Sequence, residues 1–301
     1  MRITNIVRSE QAIREIQNNL SRLSQLQSQI STGKRFTRSE EDPAGAAQVM
    51  RIQSGLRALE QYGKNSTLAQ IRSGAEGAVV KQVGELLRDG RNFALSFAKG
   101  DPPYTTDQIN QRQIAANQLD SILNQVISLG NTQIGNEYIL SGTDSTTPPF
   151  DPNPGATQGN YQGSVNPRLT TIGDGVQISP NHTGDQYLAP AIAALKALRD
   201  AADPANNQTE AQVQAAVTTV FDTADRLLVS EAQTGVVGKQ IITNLASQAI
   251  IKNDLEDVRS NVQDISLEEA SARLLSLQTT IQASYAATSR LLSLNLTDFL
   301  R

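Results

Sequence analysis

Glycine and proline are distributed so unevenly that they set out the chain before anything else is weighed. Residues 1–32 contain neither, and neither do residues 239–301. Seven of the 11 prolines fall between Pro148 and Pro190. Inside a helix Gly costs about 1 kcal/mol and Pro about 3 kcal/mol relative to Ala. Both ends are therefore predicted to be long helices, and the middle something else. The ends also carry a heptad pattern. Ile6, Ile13 and Leu20 recur seven apart, with Ile16, Leu23 and Ile30 as the second set, and Gln27 interrupts the a positions. At the other end Leu267, Leu274, Ile281 and Thr288 take a positions, and Ala270, Leu277, Ser284 and Leu291 take d positions. A seam of period 3.5 marks helices that pair along a narrow stripe. Two such seams at opposite ends predict that the ends pair with each other; the plainer reading is two unrelated surface helices. Ser266-Leu267-Glu268-Glu269 has the form of a capping box.

Between the ends, Asp42-Pro43 reads as an N-cap followed by Pro at the first helical position. The helix it opens is predicted to reach about Phe97, loosened by Gly63, Gly74, Gly77, Gly84 and Gly90, with a break from Lys99 to Pro103. Thr106 is expected to cap a helix with Ile109, Ile114, Leu119, Ile122, Leu123, Val126 and Ile127 on its apolar face. Val213, Val217, Val220, Ala224, Leu227, Ile241, Leu245 and Leu255 mark another long helix. From Gly135 to Leu188 the pattern alternates and turns. Tyr138-Ile139-Leu140, Asn160-Tyr161-Gln162-Gly163 and Gly173 to Ile178 read as strand-and-turn pieces. The expected fold is mainly α, with terminal helices pairing as a coiled coil, a helical-bundle domain and a small β-rich insert. The expected domains are 1–42 with 265–301, then 43–136 with 189–264, then 137–188.

Composition excludes more than it assigns. The net charge of −4 argues against a general nucleic-acid binder. Residues 1–72 nevertheless hold 11 basic and 6 acidic side chains, and residues 191–264 hold 6 and 10. A basic N-terminal third facing an acidic C-terminal partner and a set of merely solvated helix faces both fit this pattern. No Cys is present, and His182 is the only His. This removes disulfides, thiol nucleophiles and two-His zinc motifs, and it makes a Ser-His-Asp triad improbable. No run of 18 apolar residues predicts a membrane span. The first six residues lack the apolar core of a secretory signal, so any exit from a cell is expected to use another route.

Ser31-Thr32-Gly33-Lys34-Arg35 looks like a phosphate-binding loop, but Ser28 stands where that loop needs Gly and Arg35 where it needs Ser or Thr. It reads better as a helix C-cap glycine followed by basic residues that suit the negative helix end. Asp144, Asp151 and Asp174 lack calcium-loop spacing. Asn181-His182-Thr183 fits the glycosylation pattern, which is common by chance, and His182 is expected to be an exposed loop residue. No residue is assigned to catalysis, metal or cofactor, and no enzyme is expected.

A resemblance carries the argument further. Ser31-Thr32-Gly33-Lys34-Arg35, then Glu41-Asp42-Pro43-Ala44-Gly45-Ala46-Ala47, follow an N-terminal heptad helix. Ala270 to Leu274, Leu277-Gln278, Ile281 to Tyr285 and the final Leu294-x-Leu296-x-x-Phe299-Leu300 close the chain. This pattern resembles the flagellin superfamily of bacterial flagella. Lys34, Pro43, Tyr138 to Gly142, Thr147 to Phe150, Tyr161 to Gly163 and Ile172 to Gly175 are similar to the hook–filament junction branch. The absence of a Gln-Ala-Asn-Gln run near the C-terminus points the same way.

The resemblance implies a structural adaptor, a ring of copies between hook-associated protein 1 and the flagellin filament. It implies export by the flagellar type III apparatus with a dedicated chaperone, to the extracellular flagellum. No cofactor, nucleic acid or membrane enters this reading. The residues expected to carry it are the seam positions Ile6, Ile13, Ile16, Leu20, Leu23, Ile30, Leu267, Leu274, Leu277, Ile281 and Leu291, with Gly33, Lys34, Arg35, Asp42 and Pro43 as the connector. With Gln27, Ser284 and Thr288 in the seams, the terminal pair is expected to be marginal alone and to order fully only among neighbouring copies. Leu26, Leu275, Leu292, Leu294 and Leu296, off the expected seam, would make those contacts. The alternatives are a minor filament flagellin, an adhesin-type surface protein using the insert, and an enzyme-bearing flagellin.

Overall fold

The computed structural model describes residues 2–299, and the side chains of residue 7 and residues 10–290. Among these the chain is mainly α. Six α-helices run α1 Arg2–Thr32, α2 Pro43–Phe97, α3 Thr106–Gly130, α4 Gly184–Ala202, α5 Glu210–Gln263 and α6 Leu267–Phe299. The strands are short. β1 (Gln133–Ile134) pairs antiparallel with β2 (Glu137–Tyr138), and β3 (Thr170–Gly173) with β4 (Val176–Ile178). The breaker-free ends are helical, the β1–β2 hairpin follows α3 directly, and the proline-rich middle holds the β3–β4 hairpin.

The chain forms two compact units, one of residues 1–58 and 251–301, the other of residues 59–250. In the second, one core collects α2 from Val79 to Ala98, α3, α4, α5 from Val213 to Leu227, and Ile139, Leu140 and Phe150 of the insert. Leu119, Leu123, Leu195 and Leu198 are fully buried there. A second cluster seats the β3–β4 hairpin, with Ile172 and Ile178 against Ala69 and Ile241. Burial of aliphatic side chains of this size stabilises by about 1.5–3 kcal/mol each, so a Trp-free, aromatic-poor core suffices.

Local chemistry explains most element ends. Thr105, not Thr106, caps α3: its hydroxyl accepts from Gln108 N and the Gln108 side chain accepts from Thr105 N, a reciprocal box completed by Gln at that spacing. The β3–β4 turn is Asp174-Gly175, with Gly175 at φ +66°. Tyr138 ends β2, whereas Ile139 and Leu140 leave the strand to enter the core. Pro190 lies inside α4.

His182 is not the exposed loop residue expected. Its ring is held 2.7 Å from buried Glu76. Asn181 is 5% exposed and its amide donates to Ile139 O, so it has no room for a glycan.

Candidate assembly site at the terminal helices

α1 and α6 pack against each other within the first unit. One shared groove is lined by Arg22, Gln25, Leu26 and Gln29 from α1 and by Arg273, Ser276, Leu277 and Thr280 from α6. The start of α6 lies beside the end of α1, because Ile265 N donates to Gly33 O at 3.0 Å. The two helices are therefore antiparallel.

Along α6 the buried and half-buried positions are Ala270, Leu274, Leu277, Gln278, Ile281, Ser284 and Thr288. Gln278 aside, their spacing alternates four and three, as a coiled-coil seam requires. Along α1 the corresponding positions are Ala12, Ile16, Asn19, Leu23, Leu26 and Ile30, with Gln29 also half-buried. The structure thus brings Ile16, Leu23 and Ile30 together with Leu274, Leu277 and Ile281. It leaves Ile13 at 47%, Leu20 at 41% and Leu267 at 55% exposure on outer surfaces. The heptad mates of Ile16, Leu23 and Ile30 in this pairing stand four residues before them rather than three. Leu26 consequently turns inward, while Ile13 and Leu20 widen the apolar stripe beyond one seam. The side chains of Ile6 and Leu291 lie outside the described residues.

The connector is built from backbone geometry. Gly33 ends α1 at φ +68°, a left-handed conformation in which glycine is nearly free of strain. Thr32 Oγ1 donates to Ser28 O at 2.9 Å, and Gln29 Nε2 donates to Arg35 O at 2.6 Å. These bonds occupy carbonyls at and just beyond the helix end. Lys34 then forms an antiparallel bridge with Asp264, and Arg35 N donates to Gln263 O at 2.6 Å.

Phe36 is 4% exposed and packs with Ala46, Val49 and Val262. Asp42 caps α2: its Oδ1 accepts from Gly45 N at 2.9 Å, its carbonyl accepts from Ala46 N, and Pro43 occupies the first turn where no donor is needed. Gly45 is required, since a Cβ there would stand 2.4 Å from Asp42 Oδ2 and 2.9 Å from Phe36 Cε1. Arg35 Nη2 approaches Asp42 Oδ2 at 3.5 Å, an exposed pair that contributes at most about 1 kcal/mol. Ser266 Oγ accepts from Glu269 N at 3.4 Å to start α6, while Glu269 pairs with Arg273 instead of reaching back.

Phe36, Gln29, Asp264 and Ile265 are connector residues that the sequence reading missed. Phe36 did leave a signal, as the one large apolar side chain in the polar stretch 31–42. Asp264 and Ile265 act through backbone bonds that carry no residue-type signature, and Gln29 acts through a side-chain amide directed at Arg35 O.

Chemically this is a site for helix packing. Its polar groups are spent on caps and turns, and its outward features are aliphatic. Residues 3–145 match the bacterial flagellin N-terminal helical region. Flagellar hook-associated protein 3 of Salmonella typhimurium is 25% identical over 308 residues, covering 95% of each chain. The chain is similar to the flagellin superfamily over its N-terminal helical region and to a hook-associated relative over nearly its full length.

Flagellin of Bacillus subtilis is 23% identical over 309 residues, covering 95% of this chain and 94% of its own. The FlgL structure of Bacillus cereus superposes with a TM-score of 0.58 at 20% identity, over 70% of this chain and 99% of that one, and so shares the superfamily fold. The superfamily is structural and flagellar rather than enzymatic. No described helix of this chain is long and apolar enough to cross a membrane.

Proposed function

We propose that the chain is the structural adaptor of the hook–filament junction, seated between hook-associated protein 1 and the flagellin filament and acting through axial packing of its terminal helices. The observation that carries this reading is the surface the helix pair leaves uncovered. With the α1–α6 seam filled, Val7, Ile13 and Leu20 on α1 and Leu267, Leu275 and Tyr285 on α6 remain 41–65% exposed. Apolar side chains in such number on a two-helix pair call for further helices to cover them. In a ring or tube those helices belong to neighbouring copies and relatives, through heterologous contacts.

In this reading residues 1–42 and 265–301 form the inner layer, 43–136 with 189–264 the bundle, and 137–188 the outward insert. Gly33, Lys34, Arg35, Asp42 and Pro43 join the layers. Export is through the flagellar type III apparatus with a chaperone, delivering the chain to the extracellular flagellum, where the terminal pair becomes fully ordered on stacking.

The test is a Leu274→Asp/Leu277→Asp variant. It is expected to abolish filament attachment, scored as flagellin shed into the medium from cells that keep their hooks, while residues 59–250 stay folded by circular dichroism. Wild-type motility of the variant would exclude the seam from the role. The full-length likeness to Bacillus subtilis flagellin supports a second reading, a minor filament flagellin. The two separate in a deletion strain: loss of a minor flagellin leaves most filament attached, and loss of the adaptor leaves bare hooks.

A further inference from the structure

The second unit buries one carboxylate completely. Glu76, on α2, is 0% exposed. Three groups from residues 182–187 converge on it. His182 N donates to both oxygens at 3.2 Å, His182 Nδ1 lies 2.7 Å from Oε1, and the Tyr187 hydroxyl donates to Oε1 at 3.2 Å. A buried carboxylate is costly unless paired and fully hydrogen-bonded, and the imidazole is the one cationic group the structure places on it. The His182 side chain keeps 27% of its surface in solvent, so it can exchange its proton while Glu76 stays dry.

The surroundings make this contact decisive for one segment. Thr183 caps α4 without a side-chain bond, Gly184 N donates to Leu140 O, and Glu76 accepts from His182 N just before that helix start. The Tyr187 ring meets His182 edge-on at 6.3 Å, and Asp185 stands in the same first turn. From the insert, Tyr161 interacts electrostatically with Tyr187 and Asp185. One helical turn before Glu76, Arg72 is taken by Glu137, which also holds Arg168.

We propose that Glu76 and His182 form a proton-operated latch. With His182 charged, residues 179–187 are held on α2; with it neutral, that segment opens locally. The hydrogen bond donated to the Glu76 carboxylate raises the imidazole pKa above its ordinary value, against the opposing effect of burial. The latch is therefore complete below pH of about 6.5 and is lost as pH rises through the raised value.

Because His182 is the chain's only histidine, its ring signals in an NMR pH titration of the full chain report the latch alone. The expected midpoint lies above the ordinary imidazole value. Between the two values, amide exchange of residues 179–187, corrected for the intrinsic rate, is expected to gain about tenfold per pH unit, with residues 119–127 of α3 unchanged. Glu76→Gln should bring the midpoint down to the ordinary range or below. Should Glu76→Gln fail to fold, His182→Gln still serves, since it must remove the step in exchange. A wild-type midpoint at or below the ordinary value, or a step that survives His182→Gln, overturns the latch.

Discussion

At the scale of single residues, the tightest constraint is the seat of Phe150. Its ring is fully buried between the last residue of α3 and the first of α4. A Cβ on Gly130 would stand 2.6 Å from Phe150 Cδ2, and one on Gly184 2.8 Å from Phe150 Cζ. Asn131 fixes the same residue from its backbone, donating to Phe150 O at 2.8 Å and accepting from Phe150 N at 2.9 Å. Tyr161 closes the site with an edge contact at 5.4 Å. Both helix ends thus depend on an absent methyl group.

Gly130→Ala is expected to destabilise the unit by about 1–3 kcal/mol through overpacking. Gly33→Ala meets no atom within 4 Å and should cost only the backbone strain of a positive φ, about 1–2 kcal/mol. Urea unfolding of both variants, with and without Phe150→Leu, separates the mechanisms: the smaller side chain should rescue Gly130→Ala and leave Gly33→Ala unmoved.

At the scale of elements, α5 presents an apolar row with no partner among the described residues. Leu228, Val229, Val236, Ile242 and Ile250 are 48–68% exposed, while Val213, Val220, Leu227 and Ile241 of the same helix are buried. Being apolar on two sides, α5 carries more than one stripe. Its existence was legible from the spaced apolar positions Val213 to Leu255, which run through Gly235 and Gly238. Val229→Glu with Val236→Glu should change monomer stability by no more than about 0.5 kcal/mol, as for surface substitutions generally. Under the adaptor reading it should reduce filament attachment; equal attachment would place the row outside the assembly.

The long helices, the Asp42-Pro43 start and the Asp174-Gly175 turn were all written in local chemistry. The strands were less so, because two to four residues are too few to show alternation. Which stripe of α1 faces α6 was not legible either. Ile13 and Leu20 are as apolar as Leu23 and Leu26, and only the partner's position decides between them. Glu76 and His182 are 106 residues apart, a pairing that no window along the chain can contain.

At the scale of the whole molecule, the two units hold separate cores. The large one closes over α3 and α4 without a residue from either terminal helix. A chain lacking residues 2–32 is therefore expected to keep a cooperative thermal transition for residues 59–250, with Tm within about 3 °C of the parent. The same chain should fail to hold filament on hooks. Loss of the transition would show that the terminal helices are part of that core's folding unit.

The bridge between Lys34 and Asp264 has a consequence for timing. It closes a loop that takes in both hairpins and four of the six helices, and only afterwards are α1 and α6 held side by side. A chain that emerges from a narrow exit in one direction cannot complete this clasp until its closing residues are out. Whichever end leads, the leading helix travels without its mate for nearly the whole passage. Under the export reading, zipping the two together is reserved for arrival.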